Sequence, residues 1–361
     1  MPAEWAPHES TWLAWPHEKS DWPGKFPPVP WVYGDIVRHL SRVERVQIIV
    51  ENADAQEAAL KVLKKSDSNL AAVDFWIAPT DRSWVRDTMA IFVHNHRGRV
   101  EALDWAFTAW AKYDNFAKDD ALPTFAATSL GLKRHAPVWN KRRVVLEGGS
   151  IDVNGAGLML TTEECLLSDV QARNPGLTRQ DLEAIFARYL GIVETIWLKD
   201  GIAGDDTHGH VDDLARFTDE QTVVIVSESD KGDANYHLLR ENLAILRKRK
   251  DLRVVTLPMP EPVFFDGQRL PASYANFYIA NGLVLVPVFN DPADRQALNT
   301  LAKLFPSRQI VPIYCRDLVL GLGTLHCMTQ QQPCVQLKQR GFVAKRFQVR
   351  RRRGQEIDPS D

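Results

Sequence analysis

The feature that most constrains the fold is a regular alternation of helix and strand patterns along residues 1–333. Residues 32–44 carry apolar side chains at helical spacing, and the next segment, 45–52, has the apolar run of a buried strand. The clearest helix is expected over residues 178–190, with Thr178 as its N-cap and Gly191 at its end. Helices and strands that alternate along the chain without segregating indicate an α/β fold.

Several finer elements are expected from local signals. Two strands, 144–153 and 157–161, should form a hairpin around Asn154-Gly-Ala. One strand should carry His210 and Asp212 on the same face, and another should cover residues 323–330. The last clear helix is expected to begin with Asp291 as N-cap and to end at residue 305.

Polar, reactive loops recur along the chain at nearly constant spacing. Asp87, Glu147 and His210 are 60 and 63 positions apart, and Cys327 lies 117 positions beyond His210. Five modules of about 60 to 65 residues would fill the body, which indicates a radial repeat architecture. The module that contains residues 274–281 is expected to carry no reactive residue.

Composition narrows the class of protein. The hydrophobic content of 45% and the formal net charge of −2 are ordinary for a globular protein, so binding to nucleic acid or membranes is not expected. Four cysteines without paired spacing indicate reduced thiols and a cytoplasmic location. The N-terminus lacks the pattern of a signal peptide, and no stretch reaches the ~18 apolar residues of a membrane span. The composition is compatible with a homo-oligomer as well as with a monomer.

Tryptophans are concentrated at the N-terminus. Five of the eleven lie within the first 31 residues: Trp5, Trp12, Trp15, Trp22 and Trp31. Their rings are expected to fasten this segment to the body by burial, and the alternative is that they form the wall of a pocket.

A candidate nucleophile lies near the C-terminus in Gly321-Leu-Gly-Thr-Leu-His-Cys327. A lone cysteine of a reduced protein is more often a small buried hydrophobe than a nucleophile. The chain supplies partners, however, because His210 and Asp212 are two residues apart and Asp87 lies in another loop. A thiol, an imidazole and two or three carboxylates suit a guanidinium, which carboxylates can clamp while the thiolate attacks its central carbon. Glu147 could orient His210.

These segments resemble the agmatine deiminases of the Porphyromonas-type peptidyl-arginine deiminase family, in the guanidine-modifying superfamily. The shared motifs are MPAEWAPHESTWLAWP, WVRDT, LEGGSIDV, TTEECLLS, DDTHGHVD, SYANFYIANG, VLVPVF and LGTLHCMTQQQP. The resemblance implies the pentein fold, a five-bladed pseudo-symmetric α/β propeller. It also implies hydrolysis of agmatine to N-carbamoylputrescine and ammonia, with no metal or organic cofactor. The nucleophile falls on Cys327, the general acid/base on His210, the guanidinium-binding acids on Asp87 and Asp212, and the supporting glutamate on Glu147.

Substrate-binding positions are expected at Trp84, Asp206 and Gly323. The chain departs from the family at one of them, because Asp206 replaces a glutamate that looks like the binder of the far amine of agmatine. This change leaves open another guanidine, such as peptidyl-arginine, which the same chemistry would serve.

Two other classes of function remain. His208, His210 and Asp212 could instead ligate zinc in a metal-dependent amidohydrolase. A non-catalytic relative could bind an amine or nucleic acid through the basic C-terminal segment. We expect a single catalytic domain over residues 1–335 and a basic, disordered tail over residues 336–361, rich in Lys and Arg.

Overall fold

The computed structural model describes residues 1–336. The predicted tail, 336–361, lies outside this range apart from its first residue. In the described range, none of the helices combines the length and the apolar character that crossing a bilayer requires.

Helices in this range flank small sheets. They are α1 (Val29–Leu40), α2 (Ala53–Lys65), α3 (Val85–Thr88), α4 (Ala117–Asp120), α5 (Leu122–Ser129), α6 (Glu163–Leu167), α7 (Arg179–Leu190), α8 (Asn235–Arg247) and α9 (Asp294–Leu304).

The strands are short. They are β1 (His8–Ala14), β2 (Arg45–Val50), β3 (Val73–Ile77), β4 (Ile91–His94), β5 (Val100–Leu103), β6 (Arg134–His135), β7 (Val138–Trp139), β8 (Arg142–Arg143), β9 (Asp152–Val153), β10 (Leu158–Thr162), β11 (Glu194–Leu198), β12 (Ala215–Phe217), β13 (Thr222–Ser227), β14 (Arg253–Pro258), β15 (Phe264–Phe265), β16 (Gln268–Arg269), β17 (Tyr278–Ala280), β18 (Leu283–Val288), β19 (Gln309–Tyr314) and β20 (Gln330–Pro333).

Five sheets within residues 1–336 share one pairing pattern. In each, an antiparallel pair is extended by a parallel neighbour: β20-β1-β2, β4-β5-β6, β9-β10-β11, β12-β13-β14 and β17-β18-β19. The first sheet gains β3 as a fourth strand, parallel to β2. The α/β prediction is confirmed, and five sheets with one pattern agree with the predicted repeat of five modules. Their radial arrangement as a propeller stays a prediction.

Local sequence explains why the main elements form. The predicted cap of α7 is confirmed, because the Thr178 side chain accepts from the Asp181 N–H and the Asp181 carboxylate accepts from the Thr178 N–H. Gly191 ends this helix in the left-handed conformation. The strands β13 and β18 lie between two neighbours and are buried along almost their whole length, which explains their continuous apolar runs.

Four predicted elements are wrong or too long. His210 and Asp212 do not lie on a strand, because Val211–Asp213 is a 3-10 turn. The strand predicted over 144–153 is reduced to β9, after a 3-10 turn at Gly148–Ser150, although its hairpin with β10 is confirmed. Residues 323–329 form turns before β20 and not a strand. Helix α9 begins two residues later than predicted, with Ala293 as its N-cap, and the Asp291 carboxylate accepts from the Ala293 N–H in the preceding turn.

The N-terminal tryptophans mainly fasten the segment by burial, and none of the five lines the cavity described below. Trp12, Trp15 and Trp22 are buried, whereas Trp31 is 47% exposed. The ring centroid of Trp22 lies 5.5 Å from that of Trp84, which lines the cavity. The N-terminal segment therefore fastens itself to the body and also supports the wall of that cavity.

Candidate active site

A cavity of about 580 Å³ brings together residues from distant parts of the chain. Five predicted site residues line it: Trp84, Asp87, Asp206, Gly323 and Cys327. The other three, Glu147, His210 and Asp212, are buried next to these residues. The structure therefore gathers the residues that the sequence analysis selected from four separate segments.

A turn near the C-terminus, residues 324–328, presents the Cys327 thiol to the cavity. The N–H of Met328 donates to the Thr324 carbonyl, 3.3 Å away, and closes this turn. Gly323 lies so close that a Cβ there would be 3.0 Å from both the Cys327 Cβ and the Trp84 ring. The preceding residue, Leu322, takes a left-handed conformation (φ 68°), which is strained for a branched side chain.

Asn276, in the loop before β17, organises the same turn. Its Nδ2 donates to the Cys327 Sγ at 3.1 Å, and its Oδ1 accepts from the His326 N–H at 2.9 Å and the Thr324 hydroxyl at 2.8 Å. The module around residues 274–281 was predicted to carry no reactive residue, and it contributes to the site through the hydrogen bonds of Asn276. An amide within the apolar run SYANFYIANG was the available signal, because a buried amide requires partners.

Asp212 lies beside the thiol. Its Oδ2 is 3.6 Å from the Cys327 Sγ and 2.7 Å from the His326 Nδ1. Its Oδ1 is buried and has no hydrogen-bond partner in residues 1–336. A buried carboxylate oxygen without a partner is costly unless a ligand satisfies it.

His210 lies between two acids. Its Nδ1 is 3.8 Å from the Asp87 Oδ2 and its Nε2 is 3.7 Å from the Glu147 Oε2, both longer than a hydrogen bond. Both ring nitrogens are therefore unpaired within the described part of the chain. The imidazole is held close to acids yet remains free to exchange protons with a ligand.

Asp87 is fixed by two donors that leave it facing the cavity. Its Oδ1 accepts from the Gly149 N–H and its Oδ2 from the Trp110 indole N–H, each at 2.9 Å. Residue 149 must be small, because a Cβ there would lie 2.6 Å from the His210 Nδ1. The double glycine after Glu147 therefore lets Asp87 and His210 approach each other.

Arg173 is a site residue that the sequence analysis missed. Its Nε donates to the Glu147 Oε1 at 3.0 Å, and both side chains are fully buried. Its other nitrogens donate to the carbonyls of Thr207 and Gln171. Arg173 thus ties Glu147 to the segment that carries His210. Arg173 lies in a polar loop, where no hydrophobic periodicity in the sequence marks a buried residue.

The pKa values of the central groups are strongly shifted. Burial, followed by Asp212, Asp213 and Asp87, raises the pKa of the Cys327 thiol well above its usual range. Burial alone would lower the pKa of His210, but Asp87 and then Cys165 and Glu147 raise it well above its usual range. The surrounding acids therefore favour the protonated form of both groups.

At the outer end of the cavity, the acidic side chain already has hydrogen-bond and ion-pair partners. The two carboxylate oxygens of Asp206 contact the Lys112 ammonium and the Tyr113 hydroxyl, the latter at 2.7 Å. Trp84 is held by its indole N–H, which donates to the Asp21 carboxylate at 3.2 Å. Asp206 thus lines the cavity with its charge already balanced by a lysine.

The predicted zinc set is not assembled. His208 contacts Ser168 and Glu164 through its two ring nitrogens, at 3.2 and 3.6 Å. The groups in residues 1–336 whose ligand atoms lie within 4.8 Å of one another are Glu147 with Cys165 and His210, and Asp212 with Asp213 and Cys327. His208 belongs to neither group, so the structure contradicts a site formed by His208, His210 and Asp212.

Five small β-sheets with flanking helices, and a cavity that ends at a thiol among buried carboxylates, are features of pentein-type proteins. Solved agmatine deiminases with a similar fold support this class for the chain. The chain belongs to the Porphyromonas-type peptidyl-arginine deiminase family, whose sequence model matches residues 1–333.

Relatives and solved structures agree with this membership. The agmatine deiminase of Ectopseudomonas mendocina is 34% identical over 364 residues, which cover 93% of this chain and 96% of the relative. The structure of the agmatine deiminase of Enterococcus faecalis has a TM-score of 0.84 at 29% identity, over 92% of this chain and 95% of that one. A cysteine-to-serine variant of the C. jejuni agmatine deiminase, with substrate bound, has a TM-score of 0.82 at 31% identity and the same coverage.

Proposed function

We propose that this chain hydrolyses agmatine to N-carbamoylputrescine and ammonia through a covalent intermediate on Cys327. The observation that carries the proposal is the arrangement around the thiol. The Asp212 Oδ2 lies 3.6 Å from the Cys327 Sγ, while the Asp212 Oδ1 and both nitrogens of His210 have no partner in the described residues. A planar cation with several N–H donors would satisfy the free oxygen of Asp212, and the unpaired ring of His210 would be available to give a proton to its departing nitrogen. The names of the relatives support agmatine as that cation.

Substrate binding prepares the nucleophile in this mechanism. The raised pKa keeps Cys327 as a thiol at rest, and its S–H points to the Asp212 Oδ2. A guanidinium held between Asp87 and Asp212 offsets the negative charge of these acids, so it lowers the thiol pKa and the thiol gives its proton to water. The cation therefore generates the thiolate that attacks it.

The chemical steps then follow from the positions of Cys327 and His210. The thiolate forms a C–S bond to the central guanidinium carbon, and the C=N electron pair moves to nitrogen. His210, already an imidazolium, protonates the departing nitrogen, and the C–N bond breaks to release ammonia. Neutral His210 next takes a proton from water, whose oxygen attacks the thiouronium carbon. The hydroxyl of this second adduct then loses its proton to water as the C–S bond breaks, so the neutral ureido product leaves, the thiolate returns and His210 is again an imidazolium.

Glu147 and the cavity wall complete the assignment. Glu147 would hold the His210 Nε2 side of the ring in place, with Arg173 fixing Glu147 in turn. Trp84 and Gly323 would form the wall along the alkyl chain, and Asp206 the end that faces its amine. No step in this scheme requires a metal or an organic cofactor.

Substitution of the nucleophile tests the proposal. Cys327→Ala should abolish ammonia release from agmatine and leave the unfolding temperature unchanged within a few degrees, because the residue is small and the cavity lies beside it. Cys315→Ala is the matched control, since Cys315 is also buried but does not line the cavity. Turnover in Cys327→Ala above the uncatalysed rate would refute the mechanism.

A second substrate is favoured by the state of Asp206. Because the Lys112 ammonium already balances its charge, its attraction for an amine is weakened, which favours a guanidine with another tail, such as peptidyl-arginine. The deciding assay compares agmatine, arginine, methylated arginines and a peptide ending in arginine by the ureido product formed. Lys112→Ala should lower the KM for agmatine about two- to fivefold, the effect of one exposed ion pair. Lys118→Ala, which alters a lysine of similar exposure paired with Asp81, should not.

The setting of the protein is also a proposal. The cysteines of the described residues, Cys165, Cys315, Cys327 and Cys334, are all free thiols, which supports a reducing, cytoplasmic compartment. The partner is expected to be a small guanidine.

A further inference from the structure

A buried series of charged side chains runs from the N-terminus to the nucleophile turn. His326, the residue before Cys327, has its Nδ1 2.7 Å from the Asp212 Oδ2 and its Nε2 2.7 Å from the Glu4 Oε2. All three side chains are almost completely buried. Because carboxylates only accept hydrogen bonds, both contacts are satisfied together when the ring donates from both nitrogens.

Glu4 is itself firmly anchored. Its Oε1 accepts from the Ile279 N–H at 2.7 Å, and its Oε2 faces the Arg216 Nη2 at 3.0 Å and the Arg86 Nη2 at 3.4 Å. Burial alone would raise the pKa of Glu4, but Arg216 and His326 lower it well below its usual range. Glu4 is therefore a fixed anion on the far side of His326.

The consequence lies in what remains free on Asp212. His326 occupies the Oδ2 atom, so the ring and the Asp212 carboxylate share one fixed orientation, and Oδ1 is left without a partner in residues 1–336. We propose that Glu4 and His326 are positioning residues that aim the free oxygen of Asp212 at the cation bound beside Cys327. This inference rests on the proposed function, because the clamp is the pair Asp87 and Asp212 that would hold the guanidinium of the substrate.

Other charged groups also act on Asp212 and have to be separated from this pair. Burial alone would raise the pKa of Asp212, but His326 and, besides it, His210 and Arg216 lower it. Asp213 and Cys327 lie within 4.8 Å of it. A test must therefore change Glu4 and His326 without changing these neighbours.

Glu44 supplies a matched control. Like Glu4, it is a buried glutamate that accepts from a backbone N–H at 2.7 Å at the edge of β17, in this case that of Asn281. It also fastens the N-terminal strand through Thr11 and His8, and it contacts neither His326 nor Asp212. Glu44→Gln therefore reproduces loosening of the N-terminal segment without altering the clamp.

The experiment compares two alkylating agents on Cys327, with the labelled peptide quantified by mass spectrometry. 2-Chloroacetamidine carries an amidinium that the clamp would hold, whereas iodoacetamide is neutral, so the ratio of their inactivation rates measures recognition of the cation. For Glu4→Gln and His326→Gln we expect this ratio to fall about tenfold, while Glu44→Gln keeps the wild-type ratio. An unchanged ratio in folded Glu4→Gln and His326→Gln, or an equal fall in Glu44→Gln, would overturn the proposal.

A conservative variant keeps the test decisive if Glu4→Gln does not fold. Asparagine at position 326 can place an amide N–H near the former Nδ1, towards Asp212, whereas glutamine places it near the former Nε2. His326→Asn should therefore retain more of the cation preference than His326→Gln, and equal losses would contradict a positioning role. The ratio does not depend on agmatine turnover. Failure of the wild type to release ammonia would refute the proposed function alone.

Discussion

At the scale of single residues, the site places a thiol among acids that oppose its ionisation. Asp212, Asp213 and Asp87 all add to the effect of burial on Cys327. The same acids suit a cationic substrate. Binding and activation of the nucleophile therefore depend on one set of charges, and removal of one acid should affect the two in opposite directions.

Asp87→Asn tests this opposition. Loss of a negative neighbour should lower the thiol pKa, so alkylation of Cys327 by neutral iodoacetamide at pH 8 should become several-fold faster. Deimination of agmatine should fall about a hundredfold or more, because one side of the clamp is lost. Asp74→Asn, which alters an acid paired with Arg45 at the surface, is the control. Slower alkylation in folded Asp87→Asn would contradict the electrostatic account.

At the scale of elements, the decisive parts are turns. The side chain of Asp205 organises the one that carries His210. Its Oδ1 accepts from the Thr207 N–H at 2.8 Å, and its Oδ2 accepts from the N–H groups of Gly209 and His210 at 2.8 and 2.9 Å. Three backbone donors depend on this one carboxylate, so it determines where His210 lies.

Asp205→Ala should therefore loosen this turn. Each unpaired and partly buried N–H costs about 1–3 kcal/mol, which exceeds what a local turn can absorb without opening. We expect agmatine turnover to fall about tenfold or more, and amide hydrogen exchange at residues 206–210 to accelerate while that of α7 stays unchanged. Asp205→Asn keeps one acceptor oxygen and should recover part of the activity. Equal exchange in the alanine variant and the wild type would show that the carboxylate is dispensable.

The turns also mark the limit of what sequence patterns could predict. The α7 boundaries and the β9–β10 hairpin followed from caps, one Asn-Gly pair and apolar periodicity, which are local signals. The i, i+2 spacing of His210 and Asp212 matched the pattern of a strand. The Asp205 carboxylate, however, accepts from the backbone N–H of His210 and stabilises a turn instead. Contacts such as Asn276 with Cys327 and Arg173 with Glu147 join residues far apart in sequence. No local pattern reports such contacts.

At the scale of the whole molecule, buried carboxylates with opposite pKa shifts should shape the pH dependence of stability. Burial alone would raise the pKa of Glu147, but Arg173 and His210 lower it to about 2. Burial, only partly offset by backbone N–H donors from Asp81 and Arg82, raises the pKa of Asp119 to about 7. The first group favours the folded state when it is ionised, and the second when it is protonated.

The signs of the two contributions follow from linkage. Glu147 stabilises the fold above its unfolded pKa of 4.5, and this stabilisation is lost as the pH falls from 4.5 towards 2. The loss amounts to about 3 kcal/mol at most, from 1.36 kcal/mol per pKa unit. Asp119 contributes below its unfolded pKa of 3.8, and its contribution is lost as the pH rises through about 7.

Urea unfolding of two variants across pH 2–8 should separate these windows. Glu147→Gln leaves buried Arg173 without a counter-charge, so it should destabilise the fold by about 3–5 kcal/mol at pH 7. Its difference from the wild type should shrink as the pH falls from 4.5 to 2, where the wild type loses the same charge. Asp119→Asn should leave that acid window unchanged and flatten the slope between pH 4 and 7. A Glu147→Gln difference that stays constant from pH 7 to pH 2.5 would mean that the buried pair with Arg173 does not set the acid stability, and that the charge on Glu147 serves the orientation of His210 alone.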